Sequence, residues 1–357
     1  MRLTDVARRG LALCLLLFSA LASATTTPAP RIGVMTMEPG AAFWERFGHD
    51  AIIVEDTATA QATSYNYGFF DLAEPGFVGN FIHGKMRYQL VALPLDQDLA
   101  NYEALGRGVS IQWLDLDPAQ ARRLARTLAI NARPENARYA YDYFLSNCAT
   151  RVRDRLDEAL DGALRPQLAG RSQGNTYRSE SVRLAWPAKW MGLGFHIGLS
   201  GAADRPLSRW DESFIPMRLR DALREARRAD GKPLVLAEVR VLPSRLAAPP
   251  DDMPRWRVPA MFVGLALAIA VLQMGKRRPR LLAALALPVW MVLGLLGATM
   301  GFIWLGSAHV FGHHNENLLL FSPLCLVLVP GGWSVARGRP ATPTFRILLW
   351  LVAGGAA

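Results

Sequence analysis

The side chain with the clearest chemical potential in this sequence is the thiol of Cys148. It follows Ser146 and Asn147, two residue types that commonly cap helices, and it precedes an amphipathic stretch typical of a helix. A thiol in a first helical turn lies near the positive end of the helix dipole, which lowers its pKa and favours the nucleophilic thiolate. Arg151 adds positive charge one turn further on. Because free cysteines are also frequently buried, position alone leaves a nucleophile and a small core residue equally open.

A nucleophilic thiol needs a general base, and His49 is the candidate for that role. The residues FGHD at 47–50 lead directly into the apolar run AIIV at 51–54, which is typical of a strand. Gly48 permits close backbone approach, so an imidazole at the head of this strand can meet the first turn of a helix packed on the sheet. A lone strand histidine is more often structural, but together with Cys148 the catalytic interpretation is favoured.

The elements that must position these two residues change from strand-like to helical along the chain. Four strands are predicted at 51–54, 64–70, 86–93 and 109–116. A helix is predicted over 117–131, with Asp117 as its cap, and a second helix starts near Ser146 or Asn147. This pattern predicts an α+β domain.

The two ends of the sequence differ from this folded region. Residues 1–24 combine basic residues, a short apolar run and the triplet ASA at 22–24, which is the pattern of a secretory signal peptide. We therefore predict four regions: a signal peptide at 1–24, a catalytic domain at 25–164, a mixed helical and strand extension at 165–255, and a transmembrane region at 256–357 with three to four helices. Within the extension, a helix is predicted at 216–229 and a strand at 234–241.

The C-terminal region contains apolar stretches that approach or exceed the about 20 residues needed to cross a bilayer, although the last is short. They are 258–274, 281–308, 318–333 and 345–357. The loop at 276–280 is strongly basic, whereas the loop at 309–317 has no Lys or Arg. Because positively charged loops stay in the cytoplasm, we expect a multi-pass protein of the cytoplasmic (inner) membrane whose catalytic domain lies on the periplasmic, extracytoplasmic side.

The composition of the chain restricts the kinds of molecule that we expect it to bind. The net charge of +10 and an Arg-rich exported domain suit a bilayer with anionic headgroups, and no nucleic-acid-reading motif is visible. Cys148 is the only cysteine of the exported domain, so no disulfide can form within it. The outer-loop histidines, His309, His313 and His314, match no closed metal-ligand set, and we expect neither a metal nor a cofactor.

The order of the candidate residues along the chain is similar to that of a known fold. A histidine strand that precedes the cysteine helix resembles the circularly permuted papain-like fold of the lecithin retinol acyltransferase and NlpC-related group. In that group a polar residue on the next strand orients the imidazole. The resemblance therefore implies an orienting role for Asn66, with Asp71 and Asp50 as weaker choices. Asp50 should point to the opposite face of the strand from His49.

A more specific resemblance is to the bacterial lipoprotein N-acyltransferase Lnb family. Its motifs here are WERFGH at 44–49, YNYGFFD at 65–71, NCATRVRD at 147–154 and NENLLLFSPL at 315–324. The resemblance covers nearly the whole mature chain. It implies a thiol acyltransferase that moves an acyl chain from a phospholipid, through a thioester on Cys148, to the N-terminal amine of a lipoprotein.

On this interpretation five residues are candidate substrate contacts. They are Arg151, Tyr143, Tyr67, His313 and His314. The aromatic residues before the Cys148 helix could line an acyl groove or belong to the core, and the outer-loop histidines could contact a lipid headgroup or form a simple polar loop.

Two other functions fit the same pattern. One is a membrane-tethered cysteine hydrolase, a peptidase or amidase of the cell envelope, which would use the same Cys–His pair with water as acceptor. A soluble substrate needs no polytopic anchor, so the apolar spans favour a lipid donor. The other is a non-catalytic membrane-assembly or binding protein in which Cys148 is buried and inert.

Overall fold

The computed structural model of the protein describes residues 28–170 and 172–356, so the predicted signal peptide at 1–24 lies outside the described residues. Within them, seven strands form a single antiparallel sheet in the order β6-β4-β3-β2-β1-β5-β7. The strands are β1 (Arg31–Met37), β2 (His49–Glu55), β3 (Ala62–Phe69), β4 (Arg87–Pro94), β5 (Val109–Leu114), β6 (Arg138–Ala140) and β7 (Val235–Leu242). All four predicted strands are present in this sheet.

Helices cover the sheet and continue into the C-terminal region. Those before β7 are α1 (Phe77–Ile82), α2 (Leu95–Ala104), α3 (Pro118–Asn131), α4 (Cys148–Ala159), α5 (Leu164–Ala169), α6 (Tyr177–Ala185), α7 (Lys189–Gly198), α8 (Arg209–Glu212) and α9 (Pro216–Glu225). Short 3₁₀ turns occur at Phe43–Glu45, Gly201–Asp204 and Val310–Gly312. The predicted cap of α3 is confirmed, because the Asp117 side chain accepts hydrogen bonds from the backbone N–H groups of Ala119 and Gln120.

The central strands of the sheet are buried on both faces. Along β1 and β2 successive side chains alternate between two cores, as the period of two in a strand requires. Ile32, Val34 and Ile52 pack against α3, α4 and α9, whereas Met35 and Ile53 pack against α2. The sheet is therefore the central layer of a mixed α+β domain, which confirms the predicted class.

The segment predicted as a mixed extension, 165–255, shares the core of this sheet. Strand β7 pairs with β5 and extends the sheet at its edge. Leu219 and Leu223 of α9 are fully buried in the same core as α4. The extension therefore belongs structurally to the sheet domain that carries Cys148 and His49.

The C-terminal region is helical. It contains α10 (Arg257–Arg277), α11 (Pro279–Gly306), α12 (Asn317–Leu320), α13 (Cys325–Ala336) and α14 (Pro343–Ala356). Among the described residues, three helical segments are long and apolar enough to cross a membrane: α10, α11 and the α12–α13 stretch Asn317–Ala336. The last helix is shorter, as predicted.

Candidate active site

Cys148 is the first residue of α4, as the sequence predicts. The Asn147 side chain caps this helix by accepting a hydrogen bond from Thr150 N at 2.9 Å. Its amide nitrogen donates to the carbonyl oxygens of Tyr143 at 2.8 Å and Phe214 at 2.9 Å. The start of the helix is therefore held in place by bonds to two other parts of the domain.

His49 is the first residue of β2 and lies next to Met37 of β1. Gly48 precedes it with a φ of +78°, and a Cβ at that position would lie 2.8 Å from the Met37 carbonyl oxygen. Only glycine fits this turn without backbone movement. The close approach expected of Gly48 is thus a steric requirement for the position of the imidazole.

A buried hydrogen-bond chain fixes the orientation of that imidazole. The Asn66 amide nitrogen donates to Asp98 Oδ2 at 2.9 Å and to Ser64 Oγ at 3.1 Å, and Ser64 Oγ donates to the same carboxyl oxygen at 2.6 Å. Asn66 Oδ1 therefore faces His49 Nε2, 3.1 Å away. Because an amide oxygen only accepts, Nε2 carries the proton and Nδ1 keeps a free lone pair. His49 is held in the tautomer that a general base needs.

His49 and Cys148 meet at Gly68, in the β-bulge of β3. Gly68 has a φ of +100°, and the β3–β4 register shifts between Tyr67 and Phe69. A Cβ on Gly68 would lie 3.6 Å from Cys148 Cβ and 4.0 Å from His49 Cε1. The absent side chain thus leaves a space bordered by both candidate residues. The structure gives no direct hydrogen bond between the two side chains in the described chain, so this shared space defines their approach.

The sequence predicts a lowered pKa for the Cys148 thiol, and this prediction is wrong. Burial, followed by the charge of Asp50, raises the pKa of Cys148 to about 12, although backbone N–H groups of Asp50 and Ala149 donate to the sulfur and Arg107 lies near it. Burial and Arg107 lower the pKa of His49 to about 4. Desolvation outweighs the helix dipole here. Both groups are neutral near pH 7, so the thiol must lose its proton during attack.

Arg151, the cation that we expected to act on the thiol, contacts other groups. The Arg151 guanidinium lies 4.4 Å from the centre of the Tyr139 ring, and its Nε donates to Ser146 Oγ at 3.2 Å. The charge of Arg107, in the turn before β5, opposes part of the rise in the pKa of Cys148.

The other predicted substrate contacts lie apart from the thiol or inside the core. Tyr67, predicted as a substrate contact, is buried in the core, and its hydroxyl accepts a hydrogen bond from Asn131 at 3.3 Å. His313 Nε2 lies 3.0 Å from the Ser307 carbonyl oxygen of its own loop, and the His314 ring packs on Trp304 with centroids 4.6 Å apart. Neither of these histidines joins the group around Gly68.

Tyr143 lies on a run of aromatic rings between the thiol and the outer loop. Tyr141, whose pKa is raised by burial and by the neighbouring Cys148, packs edge-on against Tyr143 with centroids 6.0 Å apart. The Tyr143 ring stacks on His309 at 5.7 Å, and its hydroxyl lies 3.2 Å from His309 Nδ1. His309 begins the turn that follows the apolar helix α11. A continuous run of ring contacts therefore connects the surroundings of the thiol to the membrane region.

The weaker orienting candidates have other surroundings. Asp50 is fully buried, as expected on the opposite face from His49, and its Oδ1 accepts from Thr36 Oγ1 at 2.7 Å. Burial raises the pKa of Asp50 to about 7. Asp71 caps a turn by accepting from Ala73 N at 2.8 Å. Of the three residues proposed from the sequence, only Asn66 contacts the imidazole.

Two residues of the site were not found by sequence reasoning. Asp98 anchors the Asn66 amide from α2, a helix that the prediction omitted although Leu95, Leu99 and Tyr102 have helical spacing. Tyr139 places its hydroxyl 3.9 Å from the missing Gly68 side chain, and that oxygen is buried without a hydrogen-bond partner among the described residues. No sequence signal marks this tyrosine among its aromatic neighbours. In the described chain no cluster of three or more His, Cys, Asp or Glu side chains is suited to a metal ion.

An α+β domain with a Cys–His–Asn arrangement, joined to helices that can cross a bilayer, defines a membrane-anchored protein with a candidate thiol site. A family profile described as the Lnb N-terminal periplasmic domain matches residues 22–183, and one described as the Lnb transmembrane domain matches residues 254–353. The chain belongs to the Lnb family and is a membrane protein with an extracytoplasmic domain. No curated protein and no solved structure is significantly similar to it.

Proposed function

We propose that this protein is a cysteine-dependent acyltransferase of the cytoplasmic (inner) membrane, with several membrane spans. It moves an acyl chain from a phospholipid to the N-terminal amine of a lipoprotein. The observation that carries the proposal is the approach of Cys148 and the Nε2-protonated His49 to the space beside Gly68, with the imidazole held by the Asn66–Asp98 pair. Membership in the Lnb family and the adjoining apolar helices support a lipid substrate.

The first half-reaction forms a thioester. His49 Nδ1 takes the thiol proton as Cys148 Sγ attacks the ester carbonyl carbon, since neither group is charged beforehand near pH 7. Backbone N–H groups at the start of α4 stabilise the oxyanion. The C–O bond then breaks, His49 returns the proton to the leaving alkoxide, and lysophospholipid departs.

The second half-reaction transfers the acyl group. The lipoprotein amine attacks the thioester carbonyl while His49 accepts its proton. The new C–N bond forms, the C–S bond breaks, and the proton returns to the sulfur. The aromatic run through Tyr141 and Tyr143 lies between the sulfur and the outer loop. Anchoring the thiol beside the bilayer replaces a search through solution by local positioning of both lipidated substrates.

The test uses the full-length protein in phospholipid nanodiscs with a diacylglyceryl lipopeptide whose N-terminal amine is free. Mass spectrometry should show a gain of one acyl chain on the peptide amine. The Cys148→Ala variant should form no product while it keeps its thermal unfolding midpoint. Release of free fatty acid or cleaved peptide without amine acylation would show that the protein is a hydrolase and not a transferase. Full activity of Cys148→Ala would show that Cys148 is not the nucleophile.

A further inference from the structure

Two short helices of the extracytoplasmic domain expose large apolar side chains to solvent. On α1 these are Val78, Phe81 and Ile82, and on α7 they are Trp190, 69% exposed, and Leu193, 54% exposed. Trp190, Leu193 and the half-buried Ile197 have the spacing of one helix face. Large exposed apolar faces on a folded domain mark a surface that another apolar phase covers.

Helix α1 is attached to the end of the apolar helix α11. Two residues beyond Gly306, Ala308 N donates to the His83 carbonyl oxygen at 2.9 Å. His309 Nε2 lies 2.8 Å from the Phe81 carbonyl oxygen, and the His83 ring packs edge-on against Phe302 of α11. The exposed face of α1 therefore lies at the level of the last turns of α11.

Helix α7 is attached in the same way to the next apolar segment, Asn317–Ala336. The Asn315 side chain donates to the Ile197 carbonyl oxygen at 2.8 Å, and the Asn317 side chain donates to the His196 carbonyl oxygen at 3.2 Å. These bonds satisfy carbonyl groups at the C-terminus of α7 with side chains that begin the apolar segment. Both exposed faces are thus fixed to the ends of apolar helices on one side of the membrane region.

The length of α11 indicates how deep in the bilayer these attachment points lie. Its 28 residues extend about 42 Å, more than the about 30 Å of a hydrocarbon core. Its other end is basic, with Arg277, Arg278 and Arg280 at the opposite interface. About 20 residues beyond Arg280 the helix reaches the outer boundary, near Phe302. The side chains attached there lie where headgroups meet acyl chains, and the exposed Lys85 and Lys189 suit anionic headgroups.

We propose that the exposed faces of α1 and α7 insert into the outer leaflet of the lipid bilayer. The run from Cys148 to His309 lies against the loop that joins the two attachment points. Insertion at both ends of that loop places the candidate site at the mouth of the leaflet, where an acyl chain enters without crossing water. This last role rests on the proposed function, whereas the insertion itself does not.

The test is photolabelling of the full-length Cys148→Ala variant in phosphatidylcholine–phosphatidylglycerol nanodiscs whose lipids carry a diazirine in the acyl chain. Peptides containing 77–85 and 189–198 should be labelled at least about tenfold above the peptide containing Leu236. Leu236 is a matched control, because it is 66% exposed on β7 beside the Trp113–Leu114 end of the sheet, opposite the end that carries His49.

Replacing Phe81 and Ile82 by Glu should remove the label from the first peptide and leave the second unchanged. Label confined to residues 257–356, or equal label at Leu236, would overturn insertion. Because Cys148→Ala performs no transfer, this result is independent of the activity. Failure of the acyl transfer assay with labelling intact would overturn the proposed function alone, and failure of the labelling with acyl transfer intact would overturn the insertion alone.

A different observation concerns Tyr139. Its hydroxyl is a buried donor without a partner among the described residues, and it borders the same space beside Gly68 as Cys148 and His49. The ring is held between the Arg151 guanidinium and Tyr67, whose ring centroid is 5.8 Å away. We infer that the Tyr139 hydroxyl donates a hydrogen bond to the oxyanion formed when Cys148 attacks the ester. This role rests on the proposed function.

Tyr139→Phe removes the hydroxyl and keeps the ring. It should lower kcat by about 10²–10³-fold, with KM and the unfolding midpoint unchanged. An unchanged kcat in Tyr139→Phe, alongside an inactive Cys148→Ala, would remove the oxyanion role and leave the transferase in place. Raised KM with unchanged kcat would likewise overturn it, since that outcome indicates ground-state binding.

Discussion

The space beside Gly68 gives the most specific prediction about the site. Gly68→Ala adds a single methyl group where Cys148, Tyr139 and His49 converge, at 3.6, 3.9 and 4.0 Å from the new carbon. These are ordinary van der Waals contacts, so the methyl group fits without a clash. It nevertheless fills the volume through which the imidazole and the thiol meet.

The expected magnitudes for folding and for catalysis differ. At a φ of +100°, a non-glycine residue costs about 1–3 kcal/mol of folding free energy. For a domain of this size that lowers the unfolding midpoint by about 2–12 °C. Catalysis is more sensitive, because a displacement of about 1 Å in reacting groups can lower the rate about 100-fold. We expect a folded protein with kcat reduced to about one hundredth.

The assay measures acyl transfer in nanodiscs together with thermal unfolding. Gly231→Ala is the matched control, since Gly231 has a φ of +83° and no neighbouring atom within 4 Å of the added carbon. It should show the backbone destabilisation with full activity. Equal activity in the two variants would refute the idea that the thiol and the imidazole meet beside Gly68.

Two further predictions concern the orientation and the titration of His49. Asp98→Ala frees the Asn66 amide to rotate, so kcat should fall about 10–100-fold with KM unchanged; a wild-type kcat would show that Asp98 is not a positioning residue. The base is the neutral imidazole, whose pKa is lowered to about 4, so kcat/KM for the phospholipid donor, which does not include the acceptor amine, should stay constant from about pH 8 to about pH 5 and fall only below that. Half-loss near pH 6.5 would contradict the buried environment. In the unfolded chain His49 binds a proton near pH 6.5, whereas in the folded protein it does so only near pH 4. The free energy of unfolding therefore also decreases as pH falls from about 6.5 to 4, and thermal unfolding must be measured in parallel.

Sequence reasoning located the ends of the elements that carry the candidate residues. The cap at Asn147 and the Gly–His start of β2 depend on local chemistry, namely side-chain capping and a turn with positive φ, and both predictions are confirmed. Membership in the family and the apolar C-terminal helices were also predicted correctly.

Properties that depend on packing were not predictable in this way. The pKa of Cys148 rises because the sheet and α4 bury most of this side chain, a consequence of tertiary packing that outweighs the local dipole. Asp98 reaches Asn66 across 32 residues of chain, and β7 joins β5 from more than 120 residues away. No local pattern reports such distant pairing, so Asp98 and the shared core of segment 165–255 required the structure.

The most direct test of the central claim is the mass of Cys148 after exposure to phospholipid without a lipoprotein acceptor. The proposed mechanism predicts one acyl chain on the Cys148 peptide, released by neutral hydroxylamine and discharged when the lipopeptide is added. The Cys148→Ala protein should carry no such adduct. Product formation at the wild-type rate without any acyl group on Cys148 would contradict the mechanism.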